Sequence, residues 1–173
     1  MAKQSIQSIQ TALRRAPALV SGSVASLMST AMLVALGMRR GRPASGVNGP
    51  SQWLYGRAAK YRARADLRHT LAGYAIHHAS SLLWSGIFES AAARRRLSNP
   101  YARAAVVSAL AALVDYAVVP RRLTPGFEAH FRARQIVFVY LAFAGGLAIG
   151  SRLLHLSASG LPARRSAGRR RVR

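Results

Sequence analysis

Four mainly apolar stretches divide the sequence, and each is long enough or nearly long enough to cross a lipid bilayer as an α-helix. A membrane-spanning helix needs about 20 predominantly apolar residues. The stretches that approach or meet this length are residues 18–38, 70–88, 102–119 and 133–154. The pattern predicts an all-α fold, an integral membrane bundle of four transmembrane helices with short interfacial helices.

The second and third stretches are more polar than the other two. The second contains His77 and His78, and the third contains Asp115 and begins beside Arg103. A central aspartate raises the free energy of insertion by about 2.5–3.5 kcal/mol. Because the connection over residues 89–101 is short, we expect the two to insert as a helical hairpin in which each covers the polar side of the other. The alternative is a soluble helical bundle.

The chain outside these stretches supplies two terminal segments around a transmembrane domain over residues 18–154. Residues 1–17 are predicted to form an amphipathic segment on the membrane surface, with a mitochondrial transit peptide as the alternative. Residues 155–173 are rich in Arg, and we expect a disordered tail that contacts anionic lipid headgroups. Binding of RNA is the alternative for that tail.

The longest loop connects the first two stretches over residues 39–69. It begins with Gly and Pro residues that interrupt helices, and it becomes more helix-like from Ser51. Trp53 and Tyr55 are typical of membrane–water interfaces. Four basic residues then recur at helical spacing: Arg57, Lys60, Arg64 and Arg68. This pattern predicts a short interfacial helix with a basic stripe.

The composition allows a basic nucleic-acid-binding protein or a membrane protein, and the position of the charges along the chain separates the two. The chain has 26 Lys+Arg against 4 Asp+Glu, a formal net charge of +22, yet 51% of its residues are hydrophobic. A nucleic-acid-binding helix carries its basic residues along one face, whereas these arginines lie at the ends of the apolar stretches, where they reach lipid phosphates. We therefore predict a lipid bilayer as the partner and do not expect nucleic acid.

The same arginines barely orient the protein, because the two predicted sides share them almost evenly. The positive-inside rule needs an excess on one side. We predict that both termini are cytoplasmic, since export of the Arg-rich tail is unfavourable.

The sequence offers few groups for catalysis. It contains no cysteine, which excludes disulfides, thiolate chemistry and cysteine metal sites. We predict no catalytic residues, no metal and no cofactor, and an enzyme activity is not indicated.

The candidate functional polar site is His77, His78 and Asp115. In an antiparallel hairpin they lie at similar depths from the same membrane face. Neighbouring helical residues point about 100° apart, so only one histidine can face Asp115. A His–Asp pair in a low-dielectric site can carry a proton or orient a ligand, and the alternative is that it only locks the hairpin.

Supporting residues surround this candidate site on the sequence. Ser81 could complete a Ser–His–Asp arrangement, but no nucleophile-elbow motif accompanies it, so a hydrolase is not expected. Glu128 is predicted to pair with Arg121 or Arg122. The supporting residues are Tyr74, Ser81, Trp84, Ser85, Arg121, Arg122 and Glu128.

Small residues recur at four-residue spacing in the first and fourth stretches. Such patterns let helices approach closely. They indicate packing within the bundle, and a homo-oligomer is the alternative. The residues are Gly22, Ser26 and Thr30, and Ala142, Gly146 and Gly150.

Three segments carry a family resemblance: NGPSQWLYG at 48–56, GYAIHHASSLLW at 73–84 and DYAVVPRRLTPGFE at 115–128. They resemble segments of small bacterial multi-pass inner-membrane proteins that have no assigned activity. The resemblance covers residues 48–128 and implies a bacterial inner (plasma) membrane. The two loop motifs are predicted to lie on the same side of the membrane as the His–Asp pair. If these loops close over the mouth of the hairpin, that side is the functional surface, and otherwise they only cap the helices.

Three functions remain open from the sequence. The first is a structural or interaction protein of the inner membrane. The second is a small transporter or proton-linked carrier that uses the intramembrane His–Asp pair. The third is a membrane enzyme or cofactor-binding subunit built on the same residues.

Overall fold

The computed structural model describes residues 17–93 and 99–159, with side chains up to residue 154. Throughout this part of the chain the secondary structure is helical, without a β-strand, which confirms the predicted all-α class. Residues 1–16 of the amphipathic N-terminal segment and residues 160–173 of the basic C-terminal tail lie outside the described residues and stay predictions. Residues 155–159 continue the last helix instead of starting a disordered tail.

Four long helices form the bundle, and short helical turns connect them. The long helices are α1 (Pro17–Met38), α4 (Leu67–Ala93), α5 (Pro100–Leu113) and α6 (Ala133–Ser159). Helix α5 continues directly into one π-helical turn, Val114–Val118. The short elements are α2 (Ser45–Asn48), α3 (Gln52–Tyr55) and 3₁₀ turns at Gly49–Ser51, Arg57–Tyr61 and Phe127–Ala129.

Local capping explains where the polar helices begin. The Asp66 carboxylate accepts a hydrogen bond from the backbone N–H of His69 at 2.7 Å, at the start of α4. This bond and a second one to the His69 ring lower the pKa of Asp66. The Asn99 side chain accepts from the N–H groups of Tyr101 and Ala102, and Pro100 occupies the first turn of α5.

Helix α1 packs against both α6 and α4. Close approach is possible because small residues face each other. A Cβ atom at Gly150 would lie 2.5 Å from the Cα atom of Ser21, and one at Gly22 would lie 2.6 Å from Ser85 Oγ. The small-residue patterns are thus used for packing within the chain.

The bundle has an inverted distribution of polarity. Seven serines of the long helices are buried, while large apolar side chains cover the outside, among them Leu27 at 58% exposure and Leu141 at 59%. The buried serines are Ser21, Ser26, Ser29, Ser81, Ser85, Ser108 and Ser151. A water-soluble bundle shows the reverse, whereas small polar residues between helices and apolar residues outside are typical of membrane bundles.

Three of the long helices are long and apolar enough to cross a membrane: Pro17–Met38, Pro100–Val118 and Ala133–Leu154. The fourth predicted span, residues 70–88, lies within α4. That helix is 27 residues long, but its histidines and serines make it too polar to count with the other three. Composition therefore supports three spans rather than the predicted four.

The loop between α1 and α4 differs from the continuous interfacial helix predicted from Ser51. Gly56 has a φ of +82° and interrupts it, and the following 3₁₀ turn ends at Arg62, which is extended. Lys60 is 8% exposed and buried in protein. The predicted basic stripe is wrong, because Lys60 does not share an exposed face with the arginines.

Arginines at both ends of the bundle lie over aromatic rings. The Arg68 guanidinium is 4.3 Å from the ring centre of Tyr55, and at the other end that of Arg152 is 5.0 Å from Tyr101. Stacking of this kind lets an arginine cover apolar surface while its charge stays available to headgroups.

The contact between α1 and α6 gives a first prediction with a matched pair of variants. Gly146→Ala should destabilise the protein by about 1–3 kcal/mol, the usual cost of overpacking, because its Cβ would collide with the Ala25 backbone. Gly145→Ala should be tolerated, since the nearest atom to its Cβ is the flexible Met28 Cε at 3.5 Å. Thermal unfolding in detergent, followed by circular dichroism, measures both. Equal melting temperatures would contradict the close approach.

Candidate functional site

A cavity of about 50 Å³ lies where all four long helices meet. Its polar lining comes from α1, α4, the π-helical turn and α6. Apolar residues of α4, α5 and α6 and the two loops at one end of the bundle form the rest of its wall. The polar lining residues are Ser29, His77, Ser80, Ser81, Asp115 and Tyr140. The loop residues are Pro50, Trp53, Pro125 and Phe127.

His77 projects from α4 toward α1. Its Nε2 atom lies 2.8 Å from Ser29 Oγ, and that hydroxyl lies equally close to the carbonyl oxygen of Ala25. A hydroxyl has one proton, so a serine that donates to Ala25 accepts from the His77 Nε2–H. Phe127 packs edge-on against the imidazole, with ring centres 6.0 Å apart.

Asp115 lies in the π-helical turn that ends α5. The backbone N–H of Val119 donates to the carbonyl oxygen of Val114 at 3.0 Å, which leaves one residue more in this turn than an α-helix holds. The Tyr140 hydroxyl donates to Asp115 Oδ2 at 2.6 Å. Single π-helical turns within α-helices are frequent at functional sites.

The structure brings His77 and Asp115 to one cavity but gives each its own hydrogen-bond partner. His77 is bonded to Ser29 and Asp115 to Tyr140, rather than to each other. His78 does not line the cavity, and its ring stacks on Tyr74 with centres 5.8 Å apart.

The supporting residues divide between the cavity and the helix interfaces. Ser81 lines the cavity while its hydroxyl donates back to the carbonyl oxygen of His77 at 2.8 Å, and Trp84 forms part of the wall. Ser85 lies outside it and donates to the carbonyl oxygen of Ala18. Arg121 and Arg122 are exposed.

Glu128 has a different ionic partner from the predicted arginines. Its Oε1 atom lies 3.0 Å from Lys60 Nζ and accepts from the Thr124 hydroxyl at 3.0 Å. The prediction of a pair with Arg121 or Arg122 is wrong, because the first loop folds across the second and presents Lys60.

Residues 45–61 and 120–131 together form what we call the two-loop cap. Gln52, which is fully buried, donates to the carbonyl oxygen of Thr124 at 2.7 Å. Trp53 donates to the same oxygen through Nε1 at 3.2 Å. His130 Nε2 reaches back to the carbonyl oxygen of Lys60 at 2.8 Å. The cap therefore joins the two loop motifs noted in the sequence and closes the cavity at this end.

Two glycines make the closest contact inside the two-loop cap. Gly126 has a φ of +78°, and a Cβ atom there would lie 2.7 Å from the carbonyl oxygen of Gly49. A Cβ atom at Gly49 would lie 2.6 Å from the carbonyl oxygen of Pro125. The backbones touch at a distance that side chains would prevent.

Sequence reasoning missed three residues of this site. Ser29 lies next to the small-residue pattern of the first stretch but is not part of it, and Tyr140 lies in an apolar run. Trp53 is of a type that indicates a membrane–water interface. The chain has two tryptophans, Trp53 and Trp84, and both line the cavity.

Within residues 17–93 and 99–154, no three His, Asp or Glu side chains come together in an arrangement that could hold a metal ion.

No protein-family model, no curated protein and no solved structure matches this chain. The resemblance to small bacterial inner-membrane proteins therefore stays a prediction.

Substitution of Gly126 should open the two-loop cap. An alanine at either Gly126 or Gly56 is strained, because both residues have a positive φ. Gly126→Ala also brings its Cβ atom into collision with Gly49, whereas nothing lies within 4 Å of a Cβ atom at Gly56. Acrylamide quenching of tryptophan fluorescence should therefore increase for Gly126→Ala and stay near the wild-type value for Gly56→Ala. Equal quenching in both variants would show that the contact between the loops does not hold the cap closed.

Proposed function

We propose that this chain is an integral membrane protein of four transmembrane helices, with α4 as the fourth. The outward face of α4 supports this. Five residues at four-residue spacing are exposed and all are apolar: Leu71, Ala75, Ala79, Leu83 and Ile87. A helix on the surface of a soluble protein carries polar residues on that face. His77, Ser81 and Ser85 instead face the other helices.

The length and charge of α4 support the same proposal. Its 27 residues extend about 40 Å at 1.5 Å per residue, against a hydrocarbon core of about 30 Å. Between Arg68 and Glu89 the helix has no Lys, Arg, Asp or Glu. Three of the polar residues that lower its hydropathy, His77, Ser80 and Ser81, line the cavity together with residues of α1, α5 and α6.

With four crossings both termini lie on one side, and we assign that side to the cytoplasm of a bacterial inner membrane. The Arg-rich tail supports this assignment, since basic segments are retained on the cytoplasmic side. The family resemblance supports the bacterial inner membrane.

Within this membrane protein, the function that the geometry supports best is proton-linked transport through the central cavity. The observation that carries it is that His77, from α4, and Asp115, from the π-helical turn after α5, face one cavity. With α4 and α5 crossing the bilayer, this cavity lies at membrane depth. Ionisable residues there are rare and usually mark ion or proton pathways. A volume of about 50 Å³ suits protons and a few waters, whereas pockets for drug-sized ligands are about 300–1,000 Å³.

The hydroxyl groups beside the two ionisable residues suit such a role. Ser29 is bonded to His77 and Tyr140 to Asp115. Each hydroxyl can donate one proton while it accepts another, so a proton can pass along a chain of hydroxyls and waters. The two-loop cap lies between the cavity and one membrane face, and its opening would connect the cavity with water.

A structural or interaction role is the second candidate, and one observation favours it. Both His77 and Asp115 have a hydrogen-bond partner on a neighbouring helix. Such bonds hold membrane helices together, so the polar centre would serve as a lock between helices.

The fourth crossing can be tested by cysteine accessibility, since the chain has no cysteine of its own. Ala79→Cys, in the middle of the exposed face of α4, should resist a water-soluble maleimide in permeabilised membranes, because hydrocarbon excludes the reagent and the reactive thiolate. The loop variant Ala65→Cys should react fully. Equal labelling of both variants in these membranes would place the exposed face of α4 in water and contradict the proposal.

Proton movement tests the proposed function. In liposomes with an internal pH dye and an imposed potassium diffusion potential, wild-type protein should acidify the lumen faster than empty liposomes. Asp115→Asn and His77→Gln should each reduce this rate at least tenfold, because the ionisable group is lost. Asp66→Asn is the matched control, since Asn caps a helix as well as Asp does.

Two results would contradict proton-linked transport. One is a wild-type rate equal to that of empty liposomes. The other is an unchanged rate in both cavity variants. If these variants also unfold at lower temperature than wild type, the structural lock is the function that remains.

A further inference from the structure

A second cleft, separate from the central cavity, lies at the end of the bundle that carries the two-loop cap. Its volume is about 330 Å³, and it is lined by Arg40, Arg42, Ser45, Ala129 and His130. None of these residues lines the cavity that contains His77.

Arg40 is held in place before any ligand binds. Its guanidinium donates to the carbonyl oxygen of His130 and to Gln135 Oε1 at 2.9 Å, and it lies 5.7 Å from the ring centre of Phe131. A guanidinium has five N–H donors, so these bonds leave others for a ligand. An arginine fixed in this way loses little side-chain entropy on binding.

Arg42 is brought beside Arg40 by the turn that ends α1. Gly41 has a φ of +65°, and the N–H of Arg42 donates to the carbonyl oxygen of Gly37 at 2.9 Å. Within the part of the chain that the structure describes, the Arg42 guanidinium has no hydrogen bond or ion pair. Two guanidinium groups thus border one cleft, and one of them has its donors unused.

The cleft is cationic, because no carboxylate lines it. The nearest acidic residue along the chain, Glu128, is paired with Lys60. Burial lowers the pKa of His130, and the positive charges of Arg42 and Arg40 lower it further, against the effect of its bond to Lys60. The charge of the cleft at neutral pH therefore comes from the two arginines.

The position of the cleft matches the boundary between lipid and water. Arg40 follows Met38, the last residue of α1, which is 65% exposed. Gln135, whose side chain accepts a hydrogen bond from Arg40, lies in the first turn of α6. Phe138, in the next turn, is 51% exposed. Apolar surface thus starts directly below the cleft on both helices.

We infer that this cleft binds a phosphate group, carried by the headgroup of an anionic phospholipid whose chains lie along the exposed faces of α1 and α6. Paired guanidinium groups bind phosphate through charge-assisted and often bidentate hydrogen bonds. The volume leaves room for the glycerol part of a headgroup, and the adjacent apolar faces are suited to its chains.

Native mass spectrometry of the detergent-purified full chain tests this inference. The probes are dioleoylphosphatidylglycerol, dioleoylglycerol, which has the same chains without phosphate, and inorganic phosphate as a competitor. Wild-type protein should retain one phosphatidylglycerol at low lipid concentration and no dioleoylglycerol. The double variant Arg40→Gln/Arg42→Gln should bind the phospholipid at least tenfold more weakly.

Matched controls separate the cleft from general attraction of anionic lipid. Arg57→Gln/Arg62→Gln removes two exposed arginines from the same end of the bundle, outside the cleft, and should bind as wild type does. Arg40 also donates a hydrogen bond to the carbonyl oxygen of His130, so its replacement could change the cap as well as the cleft. The single variant Arg42→Gln avoids this, and it should weaken binding several-fold without changing tryptophan fluorescence.

Each outcome decides the inference. Loss of phospholipid binding in the cleft variants, with no displacement by millimolar inorganic phosphate, supports a lipid phosphate. Displacement by inorganic phosphate supports a phosphate site whose ligand is the free anion rather than a lipid. Equal binding by the cleft variants, the control variant and wild type would overturn it, as would equal retention of dioleoylglycerol.

Discussion

The close contact of α1 with α6 and α4 is the interaction on which the rest of this structure depends. Small residues and serines occupy this contact, so van der Waals packing and interhelical hydrogen bonds hold the helices together, as is typical of membrane bundles. Gly146 and Gly150 let the α6 backbone reach that of α1. Because α1 packs against both α4 and α6, the same contact places Ser29 beside His77 and at one wall of the cavity between four helices.

The two-loop cap extends this arrangement beyond the ends of the helices. Its two halves are 60 to 80 residues apart in sequence at most contacts, yet they share backbone contacts at Gly49 and Gly126 and side-chain bonds at Thr124. The ion pair between buried Lys60 and the more exposed Glu128 adds one ionic contact between them. The cap and α1 together form a large part of the wall around the polar cavity.

Sequence alone predicts the elements of this fold well, because hydropathy and charge act locally. The four apolar intervals lie within or next to the four long helices. Helix length predicts similar depths for His77 and Asp115, and the structure places both at one cavity but bonds each to another partner. The partners of those residues depend on helix rotation and on the π-helical turn, which hydropathy does not encode. Tyr140 and Ser29 therefore emerge only from the structure. The burial of Lys60 is not predicted for a related reason, because it depends on a loop that is distant in the sequence.

The π-helical turn at Val114–Val118 also has a mechanical consequence. It holds one residue more than an α-helical turn, so it stores an angular offset of about 100° between α5 and the chain that follows. If this extra residue moved by one position along the helix, Asp115 would rotate away from Tyr140 while both ends of the helix stayed in place. The hydrogen bond between Tyr140 and Asp115 thus depends on the register of this one turn, which sets the direction in which Asp115 leaves α5.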